Sequence, residues 1–200
     1  MKTSRILLIG GARSGKSALA ARWSAERAGA VCNVVTGCES DPEMVARIAA
    51  HRRERPRHWR VREEPVHLAR ALREEQDSLL LIDCLTLWIS NCLWPATGQT
   101  HEFSSSQPAG GADINGWRRE RDDFLDALRA VSTDVIIVSN EVGTGIVPEN
   151  AASRVFRDEQ GWLNQAVAVV CEEVYFVTAG LPLCLKSCQS AQGHTAAPLP

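Results

Sequence analysis

Near the start of the chain, Gly10-Gly11-Ala12-Arg13-Ser14-Gly15-Lys16-Ser17 fits the pattern G-x-x-x-x-G-K-[ST]. The chemistry this spacing supports is the holding of a nucleotide's phosphates. Glycines let the backbone turn sharply and approach anionic oxygens. The N–H groups of the turn, and the positive end of the helix that follows, then face those oxygens. Lys16 reaches the β- and γ-phosphates, and the Ser17 hydroxyl suits Mg²⁺. The plain alternative is a Gly-rich strand–helix turn. Asp83 closes a second apolar run, residues 79–82. A carboxylate at the carboxyl end of a strand can hold Mg²⁺ directly or through water. It can also cap a helix beginning at Cys84-Leu85-Thr86, and the two roles are compatible.

A further concentration of reactive side chains follows. Nine of the 19 Arg lie between Arg47 and Arg73, and three of the five His between His51 and His67. Arg47 and His51 are four apart and share a helix face, which Pro56 then ends. Arg52, Arg53 and Arg55 carry planar forks that pair with phosphate oxygens. A neutral imidazole is a nucleophile or base near neutral pH, and surrounding positive charge favours that form of His51. The same stretch also reads as a solvated charged helix with Arg–Glu pairs. Nucleic-acid binding is disfavoured, because acidic residues elsewhere balance the charge and aromatic residues are sparsely interleaved.

Positioning these groups requires strands that end on one edge of a sheet. Short apolar runs alternate with helical patterns along the chain. Strands are expected at residues 5–9, 31–36, 78–83, 134–139, 174–177 and 183–186. Helices are expected at 16–28, 41–55, 66–76, 85–93, 115–131 and 150–170. The run SLLLID has no polar interruption until its end, as in a strand covered on both faces. Strand–helix alternation implies an α/β fold with a mostly parallel sheet and helices on both faces. Residues 95–116, rich in Gly, Ser and Pro, read as a mobile surface loop, and residues 187–200 as a disordered tail. No internal repeat and no second domain is evident, so residues 1–186 are expected to form a single domain.

Two hundred residues, 44% hydrophobic and 23% charged, suit one ordinary globular domain. This excludes collagen-like, wholly disordered and small disulfide-scaffold classes. A net charge of −2 gives no reason to expect a polyanionic partner for the whole molecule. The N-terminus lacks the apolar core of a signal peptide, and no run approaches a membrane span. Seven Cys without a C-x-x-C pair or a completed zinc pattern read as reduced thiols in a cytoplasmic protein.

Several longer segments carry a resemblance. They are GGARSGKS (10–17), DPEMVARIAAHRRERPRHW (41–59), DCLTLWISN (83–91), NEVGTGIVPEN (140–150), FRDEQGWLNQ (156–165) and GLPLCLK (180–186). In this order the chain, over residues 6–186, resembles the bifunctional adenosylcobinamide kinase / adenosylcobinamide-phosphate guanylyltransferase family of cobalamin biosynthesis. The resemblance implies a RecA-like P-loop fold, a homotrimer and two reactions. A nucleoside triphosphate, ATP or GTP, phosphorylates adenosylcobinamide. GTP then donates GMP to an enzyme histidine, and adenosylcobinamide phosphate takes it up. The family's guanylylated histidine falls on His51. The GTP contacts fall on Thr36, Gly37 and Cys38, on Arg52, Arg53, Glu54 and Arg55, and on Glu63. Lys16 and Asp83 join His51 as catalytic residues, and Ser17 and Asp83 would hold Mg²⁺. The implied partners are small corrinoid substrates, with neither nucleic acid nor a membrane span. Three further readings remain open: a small-molecule P-loop kinase without guanylyl transfer, a nucleotide switch, and an RNA-binding protein.

Overall fold

The computed structural model describes residues 3–27, 29–37, 56–95 and 111–187. The helix expected at 41–55, residues 96–110 of the expected loop and the tail from 188 lie outside the described residues. The described elements are β1 (Arg5–Gly10), α1 (Lys16–Glu26), β2 (Val31–Val35), β3 (Arg60–Glu63), α2 (Leu68–Glu74), β4 (Leu79–Asp83), α3 (Leu85–Leu93), α4 (Ile114–Ala130), β5 (Val135–Asn140), α5 (Ala151–Val170), β6 (Glu173–Thr178) and β7 (Leu181–Lys186). The last residues of the expected loop are the start of α4. Asp113 caps it, accepting from the Gly116 N–H at 2.8 Å, while its own N–H donates to Leu93 O.

The strands form one seven-stranded sheet in the order β3-β2-β4-β5-β1-β6-β7. Every neighbouring pair is parallel except β6–β7. Side chains alternate across each strand, so apolar runs such as ILLI feed two cores. On one face Ile6, Leu8, Leu81 and Ile136 pack with Leu19 and Ala20 of α1 and with Trp59. On the other, Leu7, Leu80 and Ile137 meet Leu72, Trp88, Trp117, Phe124 and Leu163 from α2 to α5. The aromatic centre is tight: Trp88 lies 5.0 Å from Trp117 and 4.9 Å from Phe124 by ring centroids. Buried indole N–H groups need acceptors. Trp117 Nε1 donates to Glu159 Oε2 at 2.8 Å, and Trp88 Nε1 to Val66 O at 2.5 Å.

β3 is the strand that the hydrophobic pattern misses. Its sequence, RVRE, has no apolar run, and Val61 is half exposed. It is an edge strand, where charge guards open backbone against further pairing. Its arginines are engaged in ion pairs. Arg60 pairs with Glu75, Arg62 with Glu64 and Glu74, and from α2 Arg70 pairs with Glu64 and Arg73 with Asp123. Burial alone would raise the pKa of Glu64. The Arg70 fork, the His67 N–H and Arg62 outweigh it and hold the carboxyl below its ordinary value. The C-terminal part of the basic concentration thus stabilises the β3–α2 edge.

A second pair ties the sheet's other half together. Arg5 on β1 donates to Glu172, the residue before β6, at 2.5 Å, and also to Leu128 O and Arg129 O at the end of α4. The Arg5 hydrogen bond holds the Glu172 carboxyl at about 2. A folded-state value below the unfolded one of about 4.3 gives stability that is present above about pH 4.3 and lost as pH falls towards 2. Glu172→Gln is therefore expected to cost about 1–3 kcal/mol at neutral pH. Denaturant titrations from pH 7 down to pH 3 should find that gap narrowing, and a pH-independent gap would refute the assignment.

Candidate functional site

β1 delivers the chain to the carboxyl edge of the sheet at Gly10, and the turn after it leads into α1. A Cβ on Gly10 would lie 2.2 Å from Val177 O, so only glycine allows β6 to pack there. Gly15, at φ 96°, is the N-cap of α1. It brings no side-chain cap, and the first turn carries no acidic residue. The first N–H groups and the helix dipole are thus left for an outside anion. The Lys16 side chain is buried, with Nζ donating to Gly11 O at 2.6 Å and Ser14 Oγ at 3.3 Å.

Asp83 arrives at the same edge from β4, with β5 between it and β1. The first turn of α1 bridges that gap, as Ser17 Oγ donates to Asp83 Oδ1 at 3.2 Å. Among the described residues no group of three or more His, Cys, Asp or Glu could hold a metal ion. A hydroxyl and one carboxylate beside a phosphate cradle instead suit Mg²⁺, whose shell nucleotide oxygens and water would complete. Cys84, next in sequence, is no rival nucleophile. Burial, with the Asp83 charge adding to it, pushes its thiol up to about 11.

Thr36 and Gly37 follow β2 at this edge, but the Thr36 hydroxyl is fully buried and already engaged. It donates to Cys84 O at 2.7 Å and accepts from the Cys84 N–H at 3.1 Å, binding the end of β2 to the end of β4. Asn91 Nδ2 fixes the same junction through Thr36 O and Pro65 O. Glu63 ends β3 in register with Val35, exposed at the far side of the edge. Cys38, His51, Arg52, Arg53, Glu54 and Arg55 lie outside the described residues.

The contacts that brace this edge were not legible in the sequence. The N–H of Gly180, in the β6–β7 turn, donates to Ser14 O at 2.9 Å. Ala179 and Gly180 both have positive φ, 50° and 77°, as a two-residue hairpin turn requires. From β5, the Glu141 N–H donates to Gly10 O at 2.9 Å, and the Asn140 N–H to Thr86 Oγ1 at 2.9 Å. Asn164 on α5 holds Asn140 O and accepts from Ser139 Oγ. Thr86, Asn140, Glu141, Asn164 and Gly180 fall inside the segments 83–91, 140–150, 156–165 and 180–186, so the signal was present in the long motifs. The tryptophans divide sharply. Trp59, Trp88 and Trp117 are buried, while Trp162 is 53% exposed.

Fold and site together define an α/β P-loop nucleotide-binding protein. The chain belongs to the cobinamide kinase / cobinamide phosphate guanyltransferase family, whose model matches residues 6–185. It is 46% identical over 184 residues to the bifunctional adenosylcobalamin biosynthesis protein CobP of Pseudomonas aeruginosa, covering 91% of this chain and 97% of that one. It is 35% identical over 187 residues to the bifunctional adenosylcobalamin biosynthesis protein CobU of Escherichia coli, covering 90% of this chain and 99% of that one. A solved structure from Pyrococcus horikoshii OT3 aligns with TM-score 0.50 at 9% identity, covering 96% of this chain and 90% of that one, a likeness of fold alone. Among the described residues no helix is long and apolar enough to cross a membrane.

Proposed function

We propose that this chain performs the two reactions of its family in turn. It phosphorylates adenosylcobinamide with a nucleoside triphosphate, ATP or GTP. It then transfers GMP from GTP to adenosylcobinamide phosphate through a guanylyl-histidine at His51. The observation that carries the reading is the uncapped α1 N-terminus with Lys16 behind it and Ser17 bonded to Asp83, a ready cradle for triphosphate. The backbone N–H groups of residues 11–17 and the Lys16 ammonium neutralise charge on the phosphates. Ser17 and Asp83 would hold Mg²⁺, which supplies further charge neutralisation to the phosphates when bound.

In the second reaction, the His51 nitrogen attacks the α-phosphorus, the bond to the bridging oxygen breaks, and pyrophosphate leaves. A phosphate oxygen of the acceptor then attacks the same phosphorus, the P–N bond breaks, and His51 is regenerated as adenosylcobinamide-GDP forms. Arg52, Arg53 and Arg55 are assigned to the nucleotide's charge, and Glu54 belongs to the same segment. Glu63, Gly37, Cys38 and the Thr36 backbone are assigned to the nucleoside end, where a carboxylate accepts two guanine N–H donors. The test uses GTP labelled at the α-phosphate. The label should become acid-labile on the protein and be discharged by adenosylcobinamide phosphate. A protein that stays unlabelled would remove the covalent route.

The working unit is assigned as a homotrimer in the cytoplasm. Leu181, Leu183 and Leu185 of the edge strand β7 are 70%, 60% and 57% exposed. Such an apolar row calls for cover by a second copy of the chain. Light scattering should return three times the chain mass, and a Leu183→Asp variant a smaller species. A monomeric wild-type protein at micromolar concentration would refute the trimer. The described cysteines are free thiols, which suits a reducing compartment. The domain is assigned to residues 1–186.

A further inference from the structure

Past the end of β5, Gly143 of the β5–α5 connection and the middle of α5 form an open groove of about 290 Å³, lined by Gly143, Arg157, Asp158, Gly161, Trp162 and Gln165. The nucleotide chemistry described above uses none of these residues. We propose that this groove seats the hydroxyl-bearing arm of the cobinamide acceptor, and that Glu141, hydrogen-bonded to Gly143 of its lining, is the base for phosphoryl transfer. The proposal rests on the family's kinase reaction and names the acceptor subsite for it.

Three observations support the site. The first is place. The sheet order puts β5 between β4, which carries Asp83, and β1, which carries the phosphate loop. Glu141 is the first residue past β5, and its N–H is bonded to Gly10 O at 2.9 Å. Its Oε1 accepts from the N–H of Gly143 at 2.5 Å, and Gly143 lines the groove. Glu141 therefore links the phosphate loop to the groove. Asp83 is engaged with Ser17, and Glu63 is three strands away from β5, so Glu141 is the carboxylate at the junction.

The second is shape and polarity. A volume near 300 Å³ takes a side arm and not a macrocycle, so the bulk of the acceptor must lie across the rim. The groove and the connection that carries Gly143 expose large apolar side chains. Trp162 on α5 is 53% exposed, and Ile146 and Val147 of the β5–α5 connection are 96% and 64% exposed. A Cβ on Gly161 would meet no atom within 4 Å, so the floor beside Trp162 stays open.

The third is charge. The acceptor is a neutral alcohol in the first reaction and a phosphate ester in the second. Arg157 donates through Nε to Asp158 Oδ1 at 2.8 Å, which balances its charge while the alcohol is bound. The guanidinium can then turn its donors to the phosphate once that group exists.

The step balances without a further reagent. The hydroxyl oxygen bonds to the γ-phosphorus, the bond from that phosphorus to the β–γ bridging oxygen breaks, and the diphosphate leaves with the electron pair. The proton passes to the Glu141 carboxylate and from there to water.

The experiment measures ATP-dependent phosphorylation of cobinamide by the full chain, with ATP affinity from calorimetry. Glu141→Gln should lower kcat about 10²–10³-fold and change ATP affinity less than about threefold. In Glu141→Ala, added formate should restore part of the lost rate. Trp162→Ala should raise the KM for cobinamide about tenfold with kcat nearly unchanged. Arg157→Ala should weaken discharge of the guanylyl enzyme by cobinamide phosphate more than it weakens use of the alcohol. An undiminished kcat in Glu141→Gln, a matching loss of ATP affinity, or an unchanged KM in Trp162→Ala would overturn the proposal. If the wild-type chain phosphorylates no cobinamide at all, the kinase reading falls first and the proposal with it.

Discussion

His51→Ala should leave no acid-labile guanylyl label on the protein and lower GMP transfer to cobinamide phosphate on the order of 10⁴–10⁶-fold. Losses of this size accompany removal of a nucleophile, because no other group supplies the missing bond. Of the thiols near the phosphate cradle, Cys84 is kept protonated by burial and cannot take over. GTP affinity should change little, since the α1 N-terminus, Lys16 and the Ser17–Asp83 pair remain. Phosphorylation of cobinamide should also persist, which separates the two half-reactions in one variant. Equal labelling of the variant and the wild type would exclude His51 as the carrier. Loss of GTP binding would reveal a structural residue.

The second large effect is expected at Lys16. Lys16→Ala should lower kcat/KM of the kinase step about 10³-fold, equivalent to about 4 kcal/mol of transition-state stabilisation. The charge on the transferring phosphoryl group spreads over its oxygens, and a fixed ammonium in a dry cradle acts on it far more strongly than in water. Folding should not suffer in proportion. Nζ is held by Gly11 O and Ser14 Oγ, and its removal also relieves a buried charge. The expected signature is a normal thermal transition with a collapsed kinase rate, measured by steady-state assay and scanning calorimetry. A kinase rate within tenfold of the wild type would show that Lys16 does not reach the transferred phosphate.

What local sequence determined about this protein is substantial. Uninterrupted apolar runs announced β1, β4 and β5, because a strand covered on both faces has no polar side. The spacing of Gly10, Gly15, Lys16 and Ser17 announced a phosphate cradle, because only a tight turn opening a helix presents its amides that way. β3 escaped, since RVRE on an edge strand carries its stability in hydrogen bonds to β2 and in ion pairs rather than in apolar surface. The basic concentration was visible as composition, but its division was not. Only the fold shows that Arg60, Arg62, Arg70 and Arg73 are paired with carboxylates from other elements. The fold also decided which groups meet. Asp83 and Ser17 are 66 positions apart in the chain and share a hydrogen bond, because α1 spans the end of β5. The β6–β7 turn supports the phosphate loop through Gly180, and Glu141 lies between that loop and the groove, because β5 and β6 flank β1. Residue types and local spacing are properties of a segment. Strand order, and with it the neighbours of each strand end, is set by the packing of the whole chain.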